Sequence, residues 1–295
     1  IRDRDEAVSI MVDKANIAAD TIKNNYDCCV AYYDEHLLEI SIEQRRLLGE
    51  FEPALQNDEF VMYLQPQVKR DGAAKGAEAL VRWVHPSRGI LTPYAFIDIL
   101  ENAGLIYKLD LYIWEKAAQK LAEWKEKGYG SYHISVNIST KDFYIIDIYE
   151  TFTGLINKYG IAASNLHLEI TETTLMTDFE KNMNIIHKLQ DVGFRVEIDD
   201  FGSGYSSLNM LKDISADVLK IDMGFLRKSE NEVKGQDILE SIITLAGKIG
   251  MDVITEGVET KKQLDMLTMM GCHEFQGYYF SKPVPVSESE EKYLV

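Results

Sequence analysis

The sequence is short of positive charge: 31 lysines and arginines stand against 48 aspartates and glutamates in 295 residues, and 31 − 48 gives a formal net charge of −17. That deficit speaks against broad electrostatic binding to duplex nucleic acid or anionic lipid, since both need a basic face. An anionic ligand would need local positive help. Long apolar runs are equally scarce. None approaches the roughly 18 residues of a membrane span, and no basic-then-apolar leader opens the chain, so a cytoplasmic protein is expected. Cysteine is nearly absent: Cys28 and Cys29 are adjacent and Cys272 is distant. That spacing suits neither a disulfide framework nor zinc and predicts reduced thiols. The six histidines, at 36, 85, 133, 167, 187 and 273, form no local metal-ligand motif such as H-E-x-x-H and read as structural or surface groups. His133 and His167 come nearest to an exception, because each shares a strand with a candidate ligand named below.

What is present is the composition of a folded protein, with 46% hydrophobic residues, enough to bury a core. The chain begins with Ile1 rather than Met, so a fragment of a longer polypeptide is expected. Val8, Met11, Ala15, Ala18 and Ile22 recur at helical spacing, and residues 28–33 read as a short strand. A polar helix over 41–55, with Glu43, Arg45 and Arg46, suits an exposed connector. From Glu59 onward short β-type runs alternate with helical patterns. The runs cover 60–64, 77–83, 133–137, 166–171, 195–199, 218–221, 252–255 and about 273–275. Helical patterns cover 96–103, 109–127, 143–159, 179–192, 206–213, 233–249 and 261–271. A repeat of roughly 30 residues over roughly 240 matches a (β/α)8 barrel, an α/β fold, with a doubly wound open sheet as the alternative. The gap between the first two runs is too short for a crossover helix, so the first strand is predicted antiparallel to its neighbour.

In such a barrel the working groups project from the C-terminal strand ends. Those ends carry Glu78, Asn137, Glu169 with Glu172, Asp199 with Asp200, Lys220 with Asp222, Glu256 with Glu259, and Gln276. Singly, an acidic residue after a strand is commonly a helix cap or a dipole partner. Together, carboxylates aimed into one mouth repel unless protonated or neutralised by cations. Oxygen donors from Glu, Asp and Asn suit the hard ions Mg²⁺ or Mn²⁺. The adjacent Asp199 and Asp200 can both reach one site if the backbone turns at the strand end, as a two-metal centre requires. The glycine-bearing run 201–207 reads as a conformationally special loop rather than a phosphate cradle. Lys220, within a strand, needs anionic partners and could hold an attacking water.

These residues resemble the EAL family of cyclic di-GMP phosphodiesterases. The match rests on Gln65-Pro66, Glu78-Ala79-Leu80 with Arg82-Trp83, His85-Pro86, Asn137, Leu168-Glu169-Ile170-Thr171-Glu172, Asp199-Asp200-Phe201-Gly202, Lys220-Ile221-Asp222, Glu256-Gly257-Val258-Glu259 and Gln276-Gly277. The resemblance implies a (β/α)8 TIM-like barrel with an antiparallel first strand, hydrolysing cyclic di-GMP to linear pGpG. It implies one metal on Glu78, Asn137, Glu169 and Asp199, and a second on Asp199, Asp200 and Glu256. Lys220 would position the water, with Glu256 as the alternative general base of a one-metal mechanism. Gln65, Leu80, Arg82, Asp222 and Gln276 would meet substrate, while Glu172 and Glu259 would support the loop after Asp200. A homodimer is implied, with its interface near that loop. Residues 1–40 look like the tail of a GGDEF domain, 41–55 a linker helix and 56–295 the barrel. Ser203, Thr173 and Thr255 depart conservatively from the family pattern. A nucleotide receptor without turnover is the alternative function, and a hydrolase of another phosphodiester a third.

Overall fold

The computed structural model describes residues 7–23, 29–202, 214–224 and 232–294. Its strands are β1 (Phe60–Lys69), β2 (Ala74–His85), β3 (Gly89–Leu91), β4 (His133–Ile138), β5 (Leu166–Thr171), β6 (Arg195–Phe201), β7 (Val218–Asp222), β8 (Asp252–Glu256), β9 (Glu274–Phe275) and β10 (Val284–Pro285). All but β3 and β10 form a closed barrel in the order β1-β2-β4-β5-β6-β7-β8-β9 and back to β1. The parallel run goes from β2 to β9, and β1 is antiparallel to both its barrel neighbours. Closure excludes the open-sheet alternative and bears out the antiparallel first strand. In register, Gln65 lies opposite Glu78 and Gln67 opposite Gly76.

The barrel works because strand residues alternate faces. On β4, β5 and β6 one phase is Ile134, Val136, Leu166, Leu168, Ile170, Val196 and Ile198, all buried. It packs outward under α4 (Ile106–Glu126), α6 (Ile148–Tyr159) and α8 (Phe179–Val192). There Trp114 and Phe152 lie 4.5 Å apart, with Phe194 on the far side of Phe152 at 5.9 Å. The other phase points into the barrel and is polar: Ser135, His167, Glu169, Glu197 and Lys220 are all buried. Branched aliphatic layers usually fill a (β/α)8 interior. Here charged and hydrogen-bonding groups occupy it.

Of the remaining helices, α1 (Val8–Asp20) packs on α2 (Glu35–Gln56). The sequence placed the second of these over 41–55 as an exposed connector. In fact it begins at Glu35, capped by Asp34 through Leu37 N at 2.9 Å, and its C-terminal half is fixed to the barrel. Leu47, Phe51 and Ala54 are buried, Phe51 meets Phe60 edge-on at 5.7 Å, and Glu50 bonds His85 Nε2 at 2.9 Å. The strand expected over 28–33 is not formed at 29–33; Cys28 lies outside the described residues, as does the helix expected over 206–213. The helix expected over 143–159 is interrupted after a short turn, α5 (Asp142–Ile145), because Asp147 caps α6 through Glu150 N at 3.0 Å. Cys29 and Cys272 are free thiols. Among the described residues no helix is long and apolar enough to cross a membrane.

Candidate active site

Lys220 organises the C-terminal mouth. Its side chain is 0% exposed, and Nζ lies 2.6 Å from Glu256 Oε1, 2.7 Å from Glu169 Oε2, 3.3 Å from Asp199 Oδ1 and 3.4 Å from Glu78 Oε2. Burial alone would lower the ammonium pKa, but Asp199, Glu169, Glu256 and Glu78 outweigh it and hold it well above its ordinary value. One cation cannot neutralise four carboxylates. Burial, then the neighbouring Glu78, pushes Glu169 well above the carboxylate range despite Lys220. Burial likewise raises Glu256, with Asp199 and Glu78 adding to it against Lys220. Glu169 and Glu256 therefore hold their protons more tightly than ordinary carboxyls do, and a further cation in the ring would favour their ionised forms.

The strand ends explain the convergence. Asn137, Glu169 and Asp199 share the inward phase near the ends of β4, β5 and β6, and Asn137 Nδ2 donates to Glu78 Oε1 at 3.1 Å. At the end of β6 the pairing with β7 shifts between Ile198 and Phe201, and Asp200 takes a left-handed φ of 57°. Aspartate tolerates that conformation better than most residues. Asp200 N donates to Asp199 Oδ1 at 2.9 Å, so the turn holds one carboxylate by the next residue's backbone. Burial raises the Asp200 pKa, with Asp199 and Asp222 contributing.

The other expected site residues divide into near and far. Gln276 is buried, and its Nε2 reaches Glu78 Oε2 and, at 3.4 Å, Gln65 Oε1. Gln65 in turn donates to Ser281 O at 3.3 Å. Gly277 allows this approach, because a Cβ there would overlap the Val258 backbone. Asp222 lies opposite Glu256 in the β7–β8 register and accepts from Gly224 N. Arg82 is half-buried and outside the ring: its guanidinium donates to Val81 O at 2.8 Å and lies 5.5 Å from the Tyr63 ring centre, and burial lowers its pKa. Leu80 is half-buried opposite Tyr63. Glu172 opens α7 (Glu172–Thr177), a short helix the sequence did not signal, capped by Thr171. Glu259 is exposed, with its backbone N bonded to Gln263 Oε1 at 2.9 Å. The run after Gly202, over 203–213, which carries the expected special loop and dimer contact, lies outside the described residues.

The donor set fits a hard divalent ion. It is all oxygen, Asn137 turns its amide nitrogen toward Glu78 and so keeps its carbonyl for a cation, and buried Glu169 Oε1 accepts no hydrogen bond from the described residues.

One layer beneath lies a polar network that sequence reasoning missed. His133 Nε2 bonds Gln67 Oε1 at 2.7 Å, Gln67 Nε2 donates to Ser135 Oγ at 3.2 Å, and His167 Nδ1 meets Glu197 Oε1 at 2.5 Å. The signal was there: Ser135, His167 and Glu197 each precede a ring residue by two, hence share its face, and Gln67 follows Gln65 by two on the antiparallel strand. Burial and His167 press the His133 pKa from 6.5 down to about 3, so it is a neutral imidazole at pH 7. A depressed pKa means the unfolded chain binds the extra proton first, so stability is complete above pH 6.5 and lost as pH falls toward 3. In metal-free urea melts, His133→Gln is expected to flatten this acid loss by up to about 1.4 kcal/mol per pH unit. Parallel wild-type and variant profiles would contradict it.

Residues 49–283 match the family described as "EAL domain". The chain is 32% identical over 272 residues to "Bifunctional diguanylate cyclase/cyclic di-GMP phosphodiesterase MucR" of Pseudomonas aeruginosa, covering 92% of this chain and 39% of that protein. It is 33% identical over 240 residues to "Cyclic di-GMP phosphodiesterase PdeR" of Escherichia coli, covering 81% of this chain and 36% of the relative. The chain thus spans well under half the length of these relatives. Among solved structures, "PaMucR Phosphodiesterase, c-di-GMP complex" superposes with a TM-score of 0.78 at 33% identity, covering 82% of this chain and 99% of the other.

Proposed function

The chain belongs to the EAL domain family, and from that premise we propose that it is a phosphodiesterase that hydrolyses one phosphodiester bond of cyclic di-GMP to linear 5'-pGpG. The observation that carries the reading is the buried Lys220 inside a ring of four carboxylates at the barrel's C-terminal mouth. Relatives named as phosphodiesterases of this nucleotide, and a similar structure solved with it, support the substrate. Glu78, Asn137, Glu169 and Asp199 would hold one Mg²⁺ or Mn²⁺, and Asp199, Asp200 and Glu256 a second. When bound, these ions supply Lewis-acid stabilisation of phosphate charge and make water more acidic.

The chain's own groups do the rest. Lys220 Nζ orients the attacking water and stabilises its negative charge, and in a one-metal version of the mechanism Glu256, in place of its ligand role, would take the water's proton. Gln65, Gln276, Arg82, Leu80 and Asp222 line the substrate side, with Arg82 giving an acidic protein the local positive charge a phosphodiester needs. Glu172 and Glu259 support the loop beyond Asp200. We read residues 1–40 as the end of an upstream GGDEF-like unit, 41–55 as its linker, and a homodimer through the barrel as the working assembly.

The test is incubation of the purified chain with cyclic di-GMP and Mg²⁺ or Mn²⁺, following pGpG by chromatography. Product is expected with metal and none after EDTA. Nucleotide bound but left intact under every metal condition would favour the receptor alternative.

A further inference from the structure

Resting on the metal-centre reading above, we propose that Trp114 is a positioning residue for that centre: from outside the barrel its indole N–H holds the end of β4 and so fixes Asn137 against Glu78 and Glu169. The Trp114 side chain is 0% exposed on α4, and its Nε1 donates to the backbone carbonyl of Asn137 at 2.9 Å. A buried indole N–H needs an acceptor. Here the acceptor belongs to a proposed metal ligand.

The strand needs a hold at that point. β4 is paired with β2 only over 133–135, and past Ser135 its strand partner is β5 alone. Asn137 lies opposite Glu169 in the β4–β5 register, while its Nδ2 reaches Glu78 Oε1 on β2 at 3.1 Å. With sheet on one side only, side chains must supply the lateral support that a ladder supplies elsewhere.

Neighbouring bonds close the same corner. Ser139 N donates to Asp142 Oδ2 at 2.9 Å, and Asp142 is 0% exposed. The Thr140 hydroxyl meets that of Thr174 at 2.7 Å, and Thr174 meets Thr171 at 2.9 Å. Thr171 follows Glu169 by two, so this hydroxyl chain ties the loop after Asn137 to the one after Glu169. Trp114 is the rigid anchor of the corner, because the Phe152 ring backs it at 4.5 Å. A displaced β4 end would lose the hydrogen bond and leave a buried donor unpaired. Mg²⁺ demands near-ideal placement of its oxygen donors, and groups that orient a ligand typically govern affinity by roughly 10- to 100-fold.

The test titrates Mn²⁺ into the metal-stripped 295-residue chain and counts free ion by its electron paramagnetic resonance signal. Trp114→Phe keeps a ring beside Phe152 and removes the donor. Its tighter Mn²⁺ site is expected to weaken at least about tenfold, with hydrolysis recovering as Mn²⁺ is raised. Trp124→Phe is the matched control: it removes another buried indole donor from the same helix, one bonded to Glu290 at 2.7 Å, and should leave Mn²⁺ affinity unchanged. A wild-type chain that binds no Mn²⁺ overturns the metal centre itself and this proposal with it. A wild-type site with Trp114→Phe unchanged, or weakened no more than Trp124→Phe, overturns the proposal alone. Should Trp114→Phe fail to fold, the wild type decides through the three indole N–H resonances of an isotope-labelled chain. On adding Mg²⁺ the Trp114 signal, identified by its proximity to the Phe152 ring, is expected to shift, while those of Trp83 and Trp124, bonded to Glu59 and Glu290, stay. A Trp114 signal unmoved by saturating Mg²⁺ refutes the positioning role.

Discussion

Replacing Lys220 by methionine is expected to lower hydrolysis of cyclic di-GMP on the order of 10³-fold and to destabilise the metal-free chain by about 3 kcal/mol. The two effects share a cause. Lys220 is the cation the structure places among Glu78, Glu169, Asp199 and Glu256, and methionine fills the volume without the charge. Breaking a buried ion pair by removing one partner leaves the other uncompensated, which costs far more than the pair contributes when intact. Divalent ions should restore stability more in the variant than in wild type, because they neutralise carboxylates that the lysine no longer does. Activity should stay low even with saturating Mn²⁺. Thermal melts and single-turnover assays with and without Mn²⁺ check both halves. Recovery of rate along with stability would mean that Lys220 only counterbalances charge and has no part in the chemistry.

Asp199→Asn should cost a similar factor, on the order of 10³ in rate, and raise the Mn²⁺ concentration for half-maximal activity at least about tenfold. The substitution isolates charge from shape. Asparagine keeps an Oδ1 to accept from Asp200 N, now made at 2.9 Å, so the left-handed turn at Asp200 survives. What goes is one negative charge within 3.3 Å of Lys220, at the residue that both proposed ions would share. A rate within tenfold of wild type would remove Asp199 from the bridging role. Circular dichroism separates this from misfolding, as the fold should be unchanged.

The sequence made the barrel legible because each strand announces its phase. On β5, Leu166, Leu168 and Ile170 alternate with His167 and Glu169, and once that period is seen the face of Glu169 follows. The antiparallel first strand was legible for a simpler reason: the turn between β1 and β2, over 70–73, leaves no room for a crossover. Convergence of Asn137, Glu169 and Asp199 then needs only closure of the sheet. Short elements escaped, since β3, β10 and α7 have too few residues to show a period. The packing of α2 escaped as well. Its Leu47, Phe51 and Ala54 are dispersed among charges, and only the Phe60 and Trp83 side chains reveal what that face covers. The His133–His167 stack depends on Gly76 from another strand, a relation between distant positions that no local pattern carries.

An interior lined with Gln67, Ser135, Glu197 and Lys220 divides labour within the domain as a pipe does between its wall and its bore. Cohesion resides in the wall, the apolar annulus where strands meet helices, so truncations at Phe152 or Phe194 threaten folding without removing a contact to any proposed ligand. The bore contributes little adhesion and holds nearly all the reactivity. Exchanges there that preserve charge and hydrogen-bond balance alter which ions and anions the tube accepts at its C-terminal mouth without loosening the tube itself.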